Sequence, residues 1–247
     1  MSRSRRVAVI HQPQIFPALH LVARIMQADW FVLLDTAQVN RKVGMAKYTI
    51  SRSSGTAPRT LAVPLEGGSR VTCHDARIGK DDGWVKKHLA NIRECYGRLM
   101  MQDDIMRMAK YLLEQSGERF SDVGFSHVDE VLSRFASWGC RVPDVKRASE
   151  FGWNESEQSH TTSERLAAMV KRLNCDVYYC GQEEDRPYLD TDVFTAAGIE
   201  VYSQRFTPPP IGDLSWIHWY ANGMSTLRRA LEDGMFADIP GVGTSLF

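Results

Sequence analysis

Residues Val7 to Asp35, VAVIHQPQIFPALHLVARIMQADWFVLLD, decide the fold. The run Val7-Ala8-Val9-Ile10 is short and apolar, as strands covered on both faces are. A proline-bounded loop follows it. Leu21, Ile25 and Ala28 then recur at i, i+4 and i+7, the stripe of a helix that packs on a sheet. Pro17 suits that helix's first turn, where a missing N–H leaves nothing unpaired. Phe31 to Leu34 makes a second buried strand and ends at Asp35. Ligands of open parallel sheets gather beyond the carboxyl ends of the strands. His11, Gln12 and Gln14, directly after the first strand, are therefore the first candidates for chemistry.

Outward from this stretch, Leu61-Ala62-Val63-Pro64-Leu65 reads as a third strand, with Pro64 pushing it to an edge or to its end. Trp84 to Tyr96 and Asp103 to Gln115 read as helices, and Val128, Val131, Leu132 and Phe135 mark another. The α/β pattern returns with Thr161-x-x-Glu164, a capping box before the apolar positions Leu166, Met169, Val170 and Leu173. Val177 to Cys180 is a strand, a short helix surrounds Phe194, and Ile199 to Tyr202 is a further strand. The expected architecture is α/β, with a mainly parallel, Rossmann-like three-layer sheet and a helical middle section at about 84–138. One domain over residues 1–247 accommodates all of it, with a Gly-rich, flexible tail at about 233–247.

Lys+Arg and Asp+Glu number 30 each, so the formal net charge is zero and nothing favours nucleic acid or an anionic membrane as partner. No apolar run approaches the length of a membrane span, and the N-terminal arginines precede no signal-peptide core. Five cysteines with no CxxC pair argue against a disulfide framework or a zinc ribbon. They read as reduced thiols of a cytoplasmic protein. Cys180, at a strand end, is either a nucleophile or a buried structural thiol, and free cysteines favour burial.

Three strand-end loops would converge in a parallel sheet. The first carries His11, Gln12 and Gln14. Asp35, Gln38, Asn40, Arg41, Lys42 and Lys47 lie on the second, and Gln182, Glu183, Glu184, Asp185, Arg186 and Tyr188 on the third. Together they offer a base (His11 or a carboxylate), cations for an anionic group and amide donors, a suitable set for a polar small molecule. His218 lies among Trp216, Trp219 and Tyr220, an aromatic group that serves either as a binding wall or as core. His20, His74, His127 and His160 read as ordinary structural histidines. Phosphate-loop, GxGxxG, HExxH and GxSxG signatures are missing from any useful context. No motif identifies a cofactor, and the spacing of His11, Asp35 and His88 does not by itself indicate a metal site.

With these residues in view, the chain resembles the WbqC-like protein family. Members open with a strand leading to QPxYxPWxGY, then a helix and an aDxFVxLDdvQ strand; Gln12, Pro13, Pro17, Asp29, Phe31, Asp35 and Gln38 match. Val63-Pro64, Trp84, Lys87-His88, Tyr96, Arg165-Leu166, Tyr179, Gly181, Tyr188-Leu189, Phe194, Gly198-Ile199, Leu214-Ser215 and Gly223 continue the pattern in order, over about residues 7 to 225. Three departures stand out. Pro17-Ala18-Leu19-His20 replaces the family's PWxG, Met45-Ala46-Lys47-Tyr48 its Asn-Arg-Asn, and His218 its last-helix Asp. The resemblance implies a place in surface-polysaccharide (O-antigen) or other natural-product biosynthesis. It implies an amino sugar, an amino acid or a related amine as substrate, and it makes His88 a candidate alongside His11.

The expected function is a biosynthetic enzyme that transfers an acyl or aminoacyl group to a small amine. His11, His88 and Asp35 form its catalytic set. Gln12, Gln14, Gln38, Lys42, Lys47, Arg186, Tyr188 and His218 bind the substrate, and no metal ligand is assigned. A lyase or cyclase on an amino-acid-derived metabolite is the alternative, and a non-catalytic scaffold using the aromatic run Trp216 to Tyr220 is the third reading. The expected partner is a small-molecule substrate; self-association stays open.

Overall fold

The computed structural model describes residues 5–40, 44–52, 57–66, 71–81, 83–115, 118–153, 160–182, 189–240 and 242. Its centre is a five-stranded, all-parallel sheet of Val7–His11 (β1), Trp30–Leu33 (β2), Asp144–Arg147 (β7), Val177–Cys180 (β8) and Glu200–Ser203 (β9), ordered β7-β2-β1-β8-β9. Residues alternate between faces along each strand. Val7, Val9, Phe31, Leu33, Val177 and Tyr179 feed one apolar cluster, and Ala8, Ile10, Val32, Tyr178 and Cys180 feed the other. The chain leaves β1 towards β2 on one side and reaches β8 and β9 on the other. The switch in strand order thus falls between β1 and β8.

Leu19–Ile25 (α1) covers the first face together with a helical section of Gly83–Tyr96 (α2), Gln102–Leu113 (α3) and Phe120–Ser137 (α4). Thr162–Arg172 (α5) and Thr191–Ala196 (α6) cover the second. Trp216–Tyr220 (α7) and Met224–Gly234 (α8) complete eight α-helices among the described residues, with α8 packed on α1. None of these helices is long and apolar enough to cross a membrane.

The capping box forms as its sequence predicts: Thr161 Oγ1 accepts from Glu164 N–H and Glu164 Oε2 accepts from Thr161 N–H. Three expectations change. Helix α1 begins at Leu19 rather than Pro17, because Ala18 is extended and paired with Ser215, while Leu19 N–H donates to the Leu214 carbonyl. The strand expected at 61–65 is split at Val63-Pro64. Its first half, Arg59–Ala62 (β4), forms an antiparallel hairpin with Lys47–Ile50 (β3). Its last residue begins Leu65–Glu66 (β5), paired with Arg77–Ile78 (β6), so neither half joins the main sheet. Finally, β7 extends the main sheet beside β2, in register Trp30↔Asp144 to Leu33↔Arg147.

All five cysteines are free and buried, as their sequence context suggests. Cys180 Sγ donates to the Tyr202 carbonyl at 3.1 Å. Its side chain belongs to the cluster opposite the α1 face, the face towards which alternation directs His11.

The helical section grips the loop after β1 tightly. A Cβ added at Gly124 of α4 would lie 2.5 Å from Pro13 Cβ. Gly124→Ala is therefore expected to destabilise the protein by about 1–3 kcal/mol despite its better helix propensity. Urea unfolding checks this; an unchanged or raised midpoint would show that the loop yields freely.

Candidate functional site

Strand β1 ends in His11, half-buried at the switch point. Its Nδ1–H donates to the Gln12 carbonyl at 2.8 Å, which leaves the lone pair on Nε2. Burial, with the nearby Arg24 guanidinium and His20, lowers the imidazole pKa to about 3 against the favourable Gln12 bond. The ring is therefore neutral at physiological pH.

Arg24 comes from α1 and is only 2% exposed. Because α1 lies between the sheet and α8, six of its seven residues are buried, the arginine among them. Its guanidinium lies against the end of β8, where a Cβ at Gly181 would be 2.9 Å from Arg24 Nη1. The cation thus sits at the end of β8, near enough to His11 at the end of β1 to act on its charge.

His20, in the first turn of α1, is held twice by Asp213. Its backbone N–H donates to Oδ1 at 3.1 Å, and its Nδ1–H donates to Oδ2. The His20 carbonyl accepts from Gln204 Nε2 at 2.8 Å, and Gln204 N–H donates to the Cys180 carbonyl at 2.9 Å. The ends of α1, β8 and β9 are so joined around one polar patch. Its members are His11, His20, Arg24, Gln204 and Asp213.

The second loop reaches the first. Ile15 N–H donates to the Met45 carbonyl at 3.2 Å, and the Phe16 and Tyr48 rings meet edge-on at 4.8 Å. Lys47, half-buried, begins β3 beside this contact. Gln14 Oε1 accepts from Ala18 N–H at 3.4 Å and braces the loop from within. Phe16 has φ 44°, a left-handed conformation that costs a residue with a Cβ, and its N–H donates to His127 Nδ1 at 3.1 Å. His127 is fully buried, and burial lowers its pKa to about 3. Far from being incidental, this histidine fixes the shape of the loop that carries Gln12 and Gln14.

Other expected site residues stand apart from this patch. Asp35, fully buried, accepts from Ser149 N–H at 2.9 Å and Ser149 Oγ at 2.5 Å, with His74 Nδ1 3.6 Å away. The carboxylate thereby ties the end of β2 to the turn after β7. His88 is buried in α2, where Nδ1 accepts from Tyr48 Oη at 3.0 Å. Burial lowers its pKa to about 4, although a bond to the Ala62 carbonyl favours the charged form. His218 Nδ1–H donates to the Ser51 carbonyl at 3.1 Å, and burial lowers its pKa too. These two rings fasten helices to the β3–β4 hairpin. Gln38 is exposed and bridged to Thr72. Lys42, Arg186 and Tyr188 lie outside the described residues. Among the described residues no three His, Cys, Asp or Glu side chains are grouped to hold a metal. His11, Asp35 and His88 each have separate partners.

Sequence reasoning passed over Arg24 and the His20–Asp213 pair. One signal was available for Arg24: a charged residue in the seven-residue helix LHLVARI, where His20 is the one other polar residue.

No curated protein and no solved structure matches the chain. One family model does, over residues 12–227, which span the first loop, the helical section, the main sheet from β2 to β9 and the first turn of α8. By that match the chain belongs to the WbqC-like protein family.

Proposed function

We propose that this protein is a biosynthetic enzyme acting on a small amine-bearing substrate, an amino sugar or amino-acid derivative, held in the crevice between β1 and β8. The favoured reaction is acyl or aminoacyl transfer to the amine. One observation carries this reading: a neutral imidazole with a fixed Nε2 lone pair stands beside a buried guanidinium at the switch point of a parallel sheet. The arginine suits a carboxylate or phosphate of the substrate or donor. His11 Nε2 accepts a hydrogen bond from the substrate's amine or a hydroxyl. With a pKa of about 3 it orients that group rather than keeping its proton. Five free, buried thiols suit a reducing, cytoplasmic compartment.

A lyase or cyclase is the second reading. It needs two acid–base groups and no donor, and His20 lies close enough to His11 to affect its charge. A candidate substrate incubated alone separates the two, since a transferase leaves it unchanged.

The test pairs ligand binding with turnover. Amino acids, nucleotide-activated amino sugars, acyl-CoAs and ATP are screened by thermal shift, where a ligand at about 100 times its Kd adds roughly 2.7 kcal/mol. His11→Ala is expected to melt like the parent protein and to lose about a hundredfold or more in turnover. A folded His11→Ala variant with full activity would remove His11 from the site.

A further inference from the structure

We propose that His20, held by Asp213, is the proton acceptor of this crevice. The inference rests on the reading that an amine substrate binds beside His11. Asp213 grips His20 at both its backbone N–H and its ring Nδ1–H, which fixes the ring's rotation and its tautomer together. The lone pair is then on Nε2. A carboxylate that orients one imidazole nitrogen while the other stays available is the arrangement of a base and its orienter.

Accessibility separates this histidine from His88, His127 and His218. The side chains of His20 and Asp213 are 34% and 31% exposed. His88, His127 and His218 are 3%, 0% and 5% exposed, and their bonds are to elements of the fold. Among the described residues, the charged and titratable groups facing His20 are Asp213 from the segment before α7 and His11 from β1, with Arg24 one turn along α1. Of these, only Asp213 carries the charge that an imidazolium needs beside it. His11 takes no stable proton there, since burial and Arg24 oppose it.

The step balances simply. An N–H bond of the substrate ammonium breaks, its electron pair stays on nitrogen, and an Nε2–H bond forms on His20. His20 passes that proton to solvent, and the freed amine attacks the acyl carbon of the donor. As the C–N bond forms and the bond to the leaving group breaks, a second N–H bond of the amine breaks and its proton goes to His20 Nε2. The imidazolium, faced by Asp213, returns the proton to the donor's leaving group.

Asp213→Asn tests the idea in the full-length protein. The Asn side chain can still accept from the His20 backbone N–H, so the helix start survives. Its NH2 now donates to Nδ1, so the ring must carry its proton on Nε2, the wrong nitrogen. Nitrogen-15 NMR at neutral pH should show Nδ1–H in the parent and Nε2–H in the variant, at unchanged melting temperature. Acylation of His20 by diethyl pyrocarbonate, which needs a free Nε2 lone pair, should fall with it. Turnover of an amine should drop about a hundredfold or more through kcat, with KM little changed. An Nε2–H tautomer in the parent protein, or an unaltered tautomer in the variant, overturns the proposal. If His20→Gln keeps full rate while His11→Ala does not, the base assignment falls and the crevice stands. If the tautomer inverts as expected but no amine or anionic donor binds, the oriented pair stands and the crevice reading falls.

Discussion

Taking the protein from pH 7 to about pH 4.5 is expected to remove on the order of 5 kcal/mol of stability through two histidines alone. His127 and His88 are 0% and 3% exposed, and burial lowers their pKa values from 6.5 to about 3 and about 4. An unfolded chain takes up protons at both positions as the pH falls below 6.5, whereas the folded one does not until 3 to 4. Their contribution is therefore complete above 6.5 and shrinks by about 1.4 kcal/mol per group for each pH unit below it. Against a total of about 5–15 kcal/mol for a typical domain, that is a large share. Protonation of His127 also removes the acceptor for Phe16 N–H, so the loop after β1 has a specific reason to yield first. Urea midpoints at three pH values measure the slope. His127→Gln, which keeps an acceptor but does not titrate, should flatten it; a wild-type slope in that variant would place the acid sensitivity elsewhere.

Asp35→Ala carries the second large effect, an expected loss of about 3–5 kcal/mol. Both oxygens of this fully buried carboxylate accept from Ser149, one from the backbone and one from the hydroxyl, at the edge of the protein surface. Truncation strands two donors at the seam between β2 and β7. Asp35→Asn should cost less, since one carbonyl oxygen still accepts, and Ser149→Ala less again, about 1 kcal/mol. This ordering separates a structural carboxylate from a catalytic one. If Asp35→Asn keeps its stability but loses turnover, the aspartate belongs to the chemistry as well.

Much of the architecture was legible because several elements declare themselves locally. The β1–α1–β2 unit has its apolar runs, Thr161 and Glu164 cap α5 within one turn, and Val177–Cys180 is four buried residues in a row. Strand β7, Asp144-Val145-Lys146-Arg147, sits at an edge with one apolar residue, so no period could reveal it. The β3–β4 hairpin pairs Lys47–Ile50 with Arg59–Ala62. The pairing partner, rather than either segment's own pattern, defines it.

The site was legible only where position along a strand was enough. His11 follows the first strand, and its place at the crevice follows from topology. Asp35 ends the second strand, yet its partner Ser149 is 114 residues away and turns it to a structural task. His20 and Asp213 are separated by 193 residues, and nothing local announces either as the other's partner. Arg24 reads as a solvated helix charge until the fold buries it against the end of β8.

The five thiols have a practical meaning. Cys95 lies in α2, Cys180 in β8, and Cys73, Cys140 and Cys175 in connecting segments, and each is hidden in the native fold. Burial raises Cys73 and Cys175 to about 12, so even a small reagent meets unreactive sulfur there until the surroundings open. The chain thus carries five native reporters distributed through its layers. Pulsed alkylation followed by peptide mapping can resolve which part of the molecule breathes and how often, without an engineered label or a known ligand.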